Sequence, residues 1–169
     1  MIILLNFNIR YLEDGYELKH TGGYEKSDYI DLYCVEAEVI HIDGTTDKYC
    51  KDFKLFNYKA GDVVFINFGV AIDLTDTEYG VDYTANVFPR SSLFKKHGLI
   101  LSNSVGVIDN AYKGNTDWWM GMFIAIRDGS LSKLDRVAQF TVTEKSPKLV
   151  FNNVDKLDNE DRKGYGSTN

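Results

Sequence analysis

Short runs of β-branched and aromatic residues, cut at close intervals by glycine-bearing turns, constrain this chain more than any other feature. Val63-Val64-Phe65-Ile66-Asn67-Phe68 is one such run, and Tyr83 to Phe88, Trp118 to Ile126 and Val137 to Val142 are others. Tyr29 to Ile42 alternates, with Val35, Ala37, Val39 and Ile42 set against Glu36 and Glu38. A period of two is that of a strand with one wet face. Asp43-Gly44, Ala60-Gly61-Asp62, His97-Gly98, Lys113-Gly114 and Asp128-Gly129 mark the turns between runs. No long helical period is present, and Leu93 to Leu99 offers at most a short turn of helix after Arg90. The pattern predicts an all-β domain, closed as a barrel or packed as a sandwich.

The chain has 169 residues, 44% of them hydrophobic and 14% aromatic, which suits one domain with a sizeable core. Its net charge of −6 argues against a nucleic-acid polymer as partner, because that grip needs clustered Lys and Arg. The apolar start, Met1 to Leu5, is too short for the core of a signal peptide, and no run reaches the length of a membrane span. Cys34 and Cys50 form neither a disulfide framework nor a zinc spacing, and His20, His41 and His97 are scattered. The expectation is a reduced, cytoplasmic protein with no membrane partner. Asn152 to Asn169 is polar and charged, so residues 1–151 are expected to form the β-domain and 152–169 a flexible C-terminal arm.

Four polar constellations interrupt the strands. Pro89-Arg90-Ser91-Ser92-Leu93 places a guanidinium fork beside two hydroxyls where a strand ends, a combination that holds phosphate oxygens. The plain alternative is a Ser-rich helix cap beside a surface arginine. Asn103 to Gly114 carries Asp109 after an apolar stretch and before a turn, where a carboxylate can activate water. Here the alternative is a hairpin whose Asp and Asn only serve the turn. Asp135-Arg136-Val137-Ala138-Gln139 leads polar groups into an apolar strand, or simply closes a loop with an Asp–Arg pair. Arg162 to Thr168 frames Tyr165 between glycines, which frees the backbone to wrap a ligand while the ring stacks.

In this order, on a β-rich chain of this length, the four resemble the motifs of the trimeric dUTP diphosphatase (dUTPase) family. Pro89 to Leu93 looks like the second motif, Gly106-Val107-Ile108-Asp109 through Gly114 the third, Asp135 to Gln139 the fourth, and Gly164 to Thr168 the fifth. The first motif has a decoy, since Ile30-Asp31-Leu32 and Ile72-Asp73-Leu74 read alike. Gly69 to Leu74 fits a family strand that precedes the second motif, which leaves Asp31 as the acid of the first. The compact size and divergent motifs look most like a bacteriophage-encoded member, acting in the host cytoplasm.

The resemblance implies a distorted β-barrel or jelly-roll-like fold, a homotrimer, and hydrolysis of dUTP to dUMP and pyrophosphate. It implies Asp109 as general base and Mg²⁺ as cofactor, touched by Asp31 through water. Arg90, Ser91, Ser92, Gln139, Arg162, Ser167 and Thr168 would hold the phosphates, and Tyr165 and Gly166 would close over the nucleotide. Asn103 and the backbone of Gly106 and Ile108 would read the uracil edge, and Tyr112 would pack on the deoxyribose and exclude a 2′-hydroxyl. The chain departs from the family in four places: Asp28-Tyr29 for Ala-Gly, Ala111 for a second acid, Tyr165 for Phe, and an arginine, Arg162, set closer to the stacking ring. A longer stretch, residues 40–55, is either an extended hairpin or a surface for a protein partner. Competing readings are a dCTP deaminase and a nucleotide-gated regulatory protein on the same fold.

Overall fold

The computed structural model describes residues 4–157. Apart from a single 3₁₀ turn at Tyr24–Lys26, thirteen strands and one short α-helix follow one another along these residues. They are β1 (Asn8–Tyr11), β2 (Ile30–Tyr33), β3 (Glu36–Ile40), β4 (Thr46–Tyr49), β5 (Leu55–Tyr58), β6 (Val63–Asn67), β7 (Val70–Asp73), β8 (Tyr83–Pro89), α1 (Leu93–His97), β9 (Leu99–Leu101), β10 (Gly106–Ile108), β11 (Met120–Ala125), β12 (Gly129–Ser132) and β13 (Arg136–Glu144). All pairings are antiparallel. Two larger sheets, β10-β8-β13-β2 and β4-β3-β6-β11-β9, carry most of the fold, and the pairs β1-β7 and β12-β5 complete it. The strands form separate sheets of a jelly-roll-like fold rather than the closed barrel that was one expectation.

The alternating pattern of the sequence sets which face turns inward. In β11, Gly121, Phe123 and Ala125 are buried while Met120, Met122 and Ile124 face out. Leu32, Val39, Phe56, Val64, Ile66, Phe68, Trp119 and Phe123 are at most 1% exposed and fill the space between the sheets. Burying a side chain of this size contributes roughly 1.5–3 kcal/mol.

The Tyr29–Ile42 run, read from sequence as one strand, is two. Cys34 N donates to Asp135 O, and Val35 N donates to Asn67 O, so the chain leaves one sheet for the other between them. Val35, Ala37 and Val39 are buried as expected, but Ile42 is 77% exposed because it sits in the turn between β3 and β4. The switch is tight at Gly69, whose φ is +70° and where a Cβ would meet the Tyr16 hydroxyl at 2.3 Å. Residues 40–55 are indeed a hairpin, β3 pairing with β4 from Ala37↔Tyr49 to Ile40↔Thr46. Its turn is fastened by His41, whose Nδ1 lies 2.9 Å from Asp62 and whose Nε2 lies 3.1 Å from Asp47. The last strand ends at Glu144, and residues 145–157 run on without regular structure.

Candidate active site

Two of the sequence constellations meet the Asp31 motif on neighbouring strands. β8, β13 and β2 lie side by side, and Gln139 of β13 is registered against Asp31 on one side and Phe88 on the other. Asp31 is 2% exposed. Its Oδ1 accepts from the Thr21 hydroxyl at 2.9 Å and lies 3.4 Å from Arg90 Nε, while its Oδ2 accepts from Arg136 Nη1 at 3.2 Å. A buried carboxylate is tolerated only when so paired. Arg90 is reached because β8 ends at Pro89 and the chain turns into α1. Arg136 is reached because of a β-bulge between Arg136 and Ala138, where two residues of β13 oppose one of β2. The extra residue buries Val137 and Ala138 in succession and aims Arg136 at Asp31.

The plain alternative for this segment pairs Arg136 with Asp135. Instead Asp135 Oδ2 accepts from Ser132 N at 2.8 Å, and Arg136 serves Asp31. Thr21 does not stand out in the sequence, nor does the pairing of Arg136 with Asp31, because the bridge His20↔Ile30 and the bulge that bring them in depend on partners distant along the chain. The choice of Asp31 over Asp73 agrees with this geometry: Asp73 lies 3.5 Å from Lys113, away from Arg90.

Beside this cluster, Arg90, Ser91 and Ser104 line a cleft of about 410 Å³ together with Pro89, Phe94 and Leu101. Ser91 is exposed and Ser92 half-buried, and the Ser92 side chain makes no capping bond to α1. Asn103 is exposed in the turn between β9 and β10, next to Ser104 and therefore at the Arg90 end of the sheet. The Asn103–Tyr112 segment is not a two-stranded hairpin, because β9 pairs with β11 and β10 pairs with β8. β10 is an edge strand, so part of its backbone donors and acceptors point away from β8. Gly106 is registered against Val87, where a Cβ would come within 3.2 Å of Val87 Cβ. Ile108 is buried.

Asp109 and Tyr112 close a tight turn just past β10, Tyr112 N donating to Asp109 O at 2.9 Å. Asp109 is exposed and its Oδ1 accepts only a 3.2 Å bond from Ala111 N among the described residues. The Tyr112 ring is 41% exposed, and its hydroxyl donates to Trp118 O at 3.1 Å. Partial burial, then the nearby Asp117 charge, hold this phenol above its ordinary value, which keeps it a donor.

The turn lies far from the buried cluster. Ile108 is registered against Ala85, so Asp109 follows at the level of Thr84, whereas Arg90 follows Pro89 at the other end of β8. Six residues of extended strand separate Thr84 from Arg90, roughly 20 Å. The structure thus brings Asp31, Arg90, Ser91 and Gln139 together and sets Asp109 and Tyr112 apart from them.

A metal held by the chain itself does not fit these donors. No group of three or more His, Cys, Asp or Glu side chains could hold an ion among the described residues. Asp31 Oδ1 faces Thr21 and Arg90 while Oδ2 faces Arg136 alone, so Oδ2 keeps an acceptor position for the expected water-mediated contact with Mg²⁺. Arg162, Tyr165, Gly166, Ser167 and Thr168 lie outside the described residues.

Comparison with known proteins identifies the family. The dUTPase family model matches residues 49–169. The SPbeta prophage-derived deoxyuridine 5′-triphosphate nucleotidohydrolase of Bacillus subtilis is 36% identical over 164 residues, covering 97% of this chain and 98% of the relative. The deoxyuridine 5′-triphosphate nucleotidohydrolase of Burkholderia multivorans is 32% identical over 146 residues, 83% of this chain and 89% of that one. Among solved structures, the dUTPase of phage phi11 of S. aureus, described with a structural Mg(II) ion, superposes with a TM-score of 0.61 over 89% of this chain and 97% of its own. At 13% identity that likeness speaks for the fold alone.

Proposed function

The chain belongs to the dUTPase family, and we propose that it works as a homotrimer in which each catalytic site is assembled from more than one copy. It is a dUTP diphosphatase, hydrolysing dUTP to dUMP and pyrophosphate. One observation carries the assembly reading. A general base must stand within hydrogen-bond reach of the water it activates. Asp109 lies roughly 20 Å along β8 from the arginine that meets the phosphates, by strand rise. One copy therefore contributes the Asp109–Tyr112 turn, and another contributes Asp31, Arg90, Ser91, Ser92 and Gln139. The outward face of β11, with Met120, Met122 and Ile124 each at least 40% exposed and Ile100 beside them on β9, is an apolar surface suited to a neighbouring copy.

Within such a site Asp109 takes a proton from the attacking water at the α-phosphate. Arg90 and the Ser91 and Ser92 hydroxyls supply fixed donors where phosphate charge develops. Asp31 sets the geometry: its charge holds Arg90 and Arg136 in place from beneath. Gln139 shares its row and adds an amide. The free edge of β10 at Gly106 and Ile108 pairs with the uracil edge, where a wrong donor or acceptor leaves a buried group unpaired. Asn103 contributes from the adjoining turn, and Tyr112 packs on the deoxyribose. From the tail, Arg162, Ser167 and Thr168 bind phosphate and Tyr165 stacks within its glycines, on the chemistry of those residues alone.

Members of the dUTPase family generally use Mg²⁺. Bound to the triphosphate, Mg²⁺ would neutralise its charge and keep several waters, one of which Asp31 would meet. No helix among the described residues is long and apolar enough to cross a membrane. The resemblance to a prophage-derived relative supports a phage-encoded enzyme working in host cytoplasm.

The test is pyrophosphate release with dUTP, dCTP, dTTP and UTP, with and without Mg²⁺. Release from dUTP alone is expected. Ammonia from dCTP would favour the deaminase, and dUTP binding without turnover would favour a nucleotide-gated regulator.

A further inference from the structure

The N-terminal strand grips the loop that carries Tyr112. Arg10 sits on β1, registered against Ala71 of β7, and the next turn of chain is fastened by Leu12 N donating to Gly69 O. From there its guanidinium reaches two points of the loop. Nη1 donates to Asn115 O at 2.6 Å, and the guanidinium carbon lies 5.3 Å from the centre of the Trp118 ring. Trp118 O in turn accepts the Tyr112 hydroxyl. A cleft of about 280 Å³, lined by Asn8, Arg10, Asp73, Lys113, Gly114 and Asn115, separates the loop from the β1-β7 pair. The loop is therefore not packed solidly on the strands beneath it, and Arg10 spans the gap.

The loop has its own inner turn, Gly114 N donating to Asp117 Oδ2 and Asp117 N to Gly114 O. It is tied at its start by Lys113 to Thr75, and at its end by Trp119 N to Val70 O. The second tie fixes the peptide that carries Trp118 O, and what neither tie reaches is the Trp118 ring and the backbone at Asn115, the two points that Arg10 holds. A cation over an indole face combined with a donated bond to the same loop fixes both the ring and the backbone. Arg10 also lies outside residues 49–169, the part matched by the family model.

We propose that Arg10 is a positioning residue for nucleotide selection: by holding the loop at Asn115 and at the Trp118 ring it steadies the Tyr112 ring at the loop's start and so sets the rejection of a ribose 2′-hydroxyl. This rests on Tyr112 packing against the deoxyribose, and the experiment separates the two claims. Steady-state kinetics on dUTP and UTP are measured for Arg10→Met, Arg10→Lys, Tyr112→Phe, Tyr112→Ala and the Arg10→Met/Tyr112→Phe pair, with thermal melting of each. Arg10→Met is expected to raise KM for dUTP more than it lowers kcat, and to cut the dUTP-over-UTP ratio of kcat/KM by about tenfold, the scale of a lost cation–π contact. Arg10→Lys keeps a charge over the ring and recovers part of the ratio. The double variant is no worse than Arg10→Met alone, since both changes release the same ring. If Tyr112→Ala loses discrimination while Arg10→Met keeps it, Arg10 has no such role. If Tyr112→Ala keeps discrimination too, the sugar-packing reading falls, and this inference with it. A loss in Arg10→Met that tracks only a fall in melting temperature, unrelieved by Arg10→Lys, also overturns it.

Discussion

Asp31 and Asp109 are both acids carried by strands of the same four-stranded sheet, yet their surroundings are opposite. Asp31 is almost fully enclosed and answered by Thr21, Arg90 and Arg136. Asp109 stands in solvent with one weak backbone donor from Ala111. The first is finished within one chain, and its charge is spent on holding two arginines. The second keeps most of its acceptor positions unused among the described residues, as the proposed general base requires. A carboxylate satisfied by its own fold is a structural part, and a carboxylate left open on a rigid turn is available for chemistry.

The largest effect expected from this contrast is on Asp109→Asn. Removing the general base should lower kcat by about 10²–10⁴-fold while leaving nucleotide affinity and melting temperature near those of the parent. Retained turnover would dissolve the contrast at once. Next in size is a mixing experiment. Asp109→Asn and Arg90→Ala chains, each inactive alone, are unfolded together and reassembled. If one copy supplies the turn and another the arginine, about a quarter of the sites in random trimers carry both intact parts, and activity returns. If each site lies within one chain, mixing restores nothing.

Asp31→Asn tests the enclosed half. It leaves Arg90 and Arg136 without their counter-charge, and Arg136 is 51% exposed and can turn to water. The cost should be on the order of 3 kcal/mol, read as a melting temperature lower by roughly 6–12 °C. An unchanged melting temperature with lost catalysis would place Asp31 in the chemistry rather than beneath it.

The smallest effect is a control from a region belonging to neither half. Bonds to Asp47, and then to Asp62, raise the His41 pKa above its ordinary value. A raised folded value means that the clamp's contribution is full below the unfolded pKa, about 6.5, and is lost as pH rises through the folded one. Thermal melts between pH 6 and 8.5 should therefore show a slight decline that His41→Gln flattens, with no change in kcat attributable to the site.

Much of this was legible in the sequence, and what was hidden had one cause. Strand positions followed from alternation, as in β11, where the period of two separates Phe123 from Met122 and Ile124. The motif acids and Arg90 could be singled out because residue type and order carry them. The break at Cys34–Val35, the pairing of Arg136 with Asp31 and the exposure of Ile42 were not visible. Each depends on which strand lies beside which, and spacing along the chain does not encode that. The same holds for the separation of Asp109 from Arg90: they are 19 residues apart in sequence but stand at opposite ends of β8.

That end-to-end placement along β8 has a consequence for numbers and dilution. If sites are shared between copies as proposed, a lone chain owns both halves of a site and no site, and specific activity falls as the protein is diluted below its assembly constant. A ring of identical contacts closes with as many sites as chains. A copy damaged in both halves then silences two sites of three, and a single defective allele expressed beside an intact one would depress activity by more than its share of the protein.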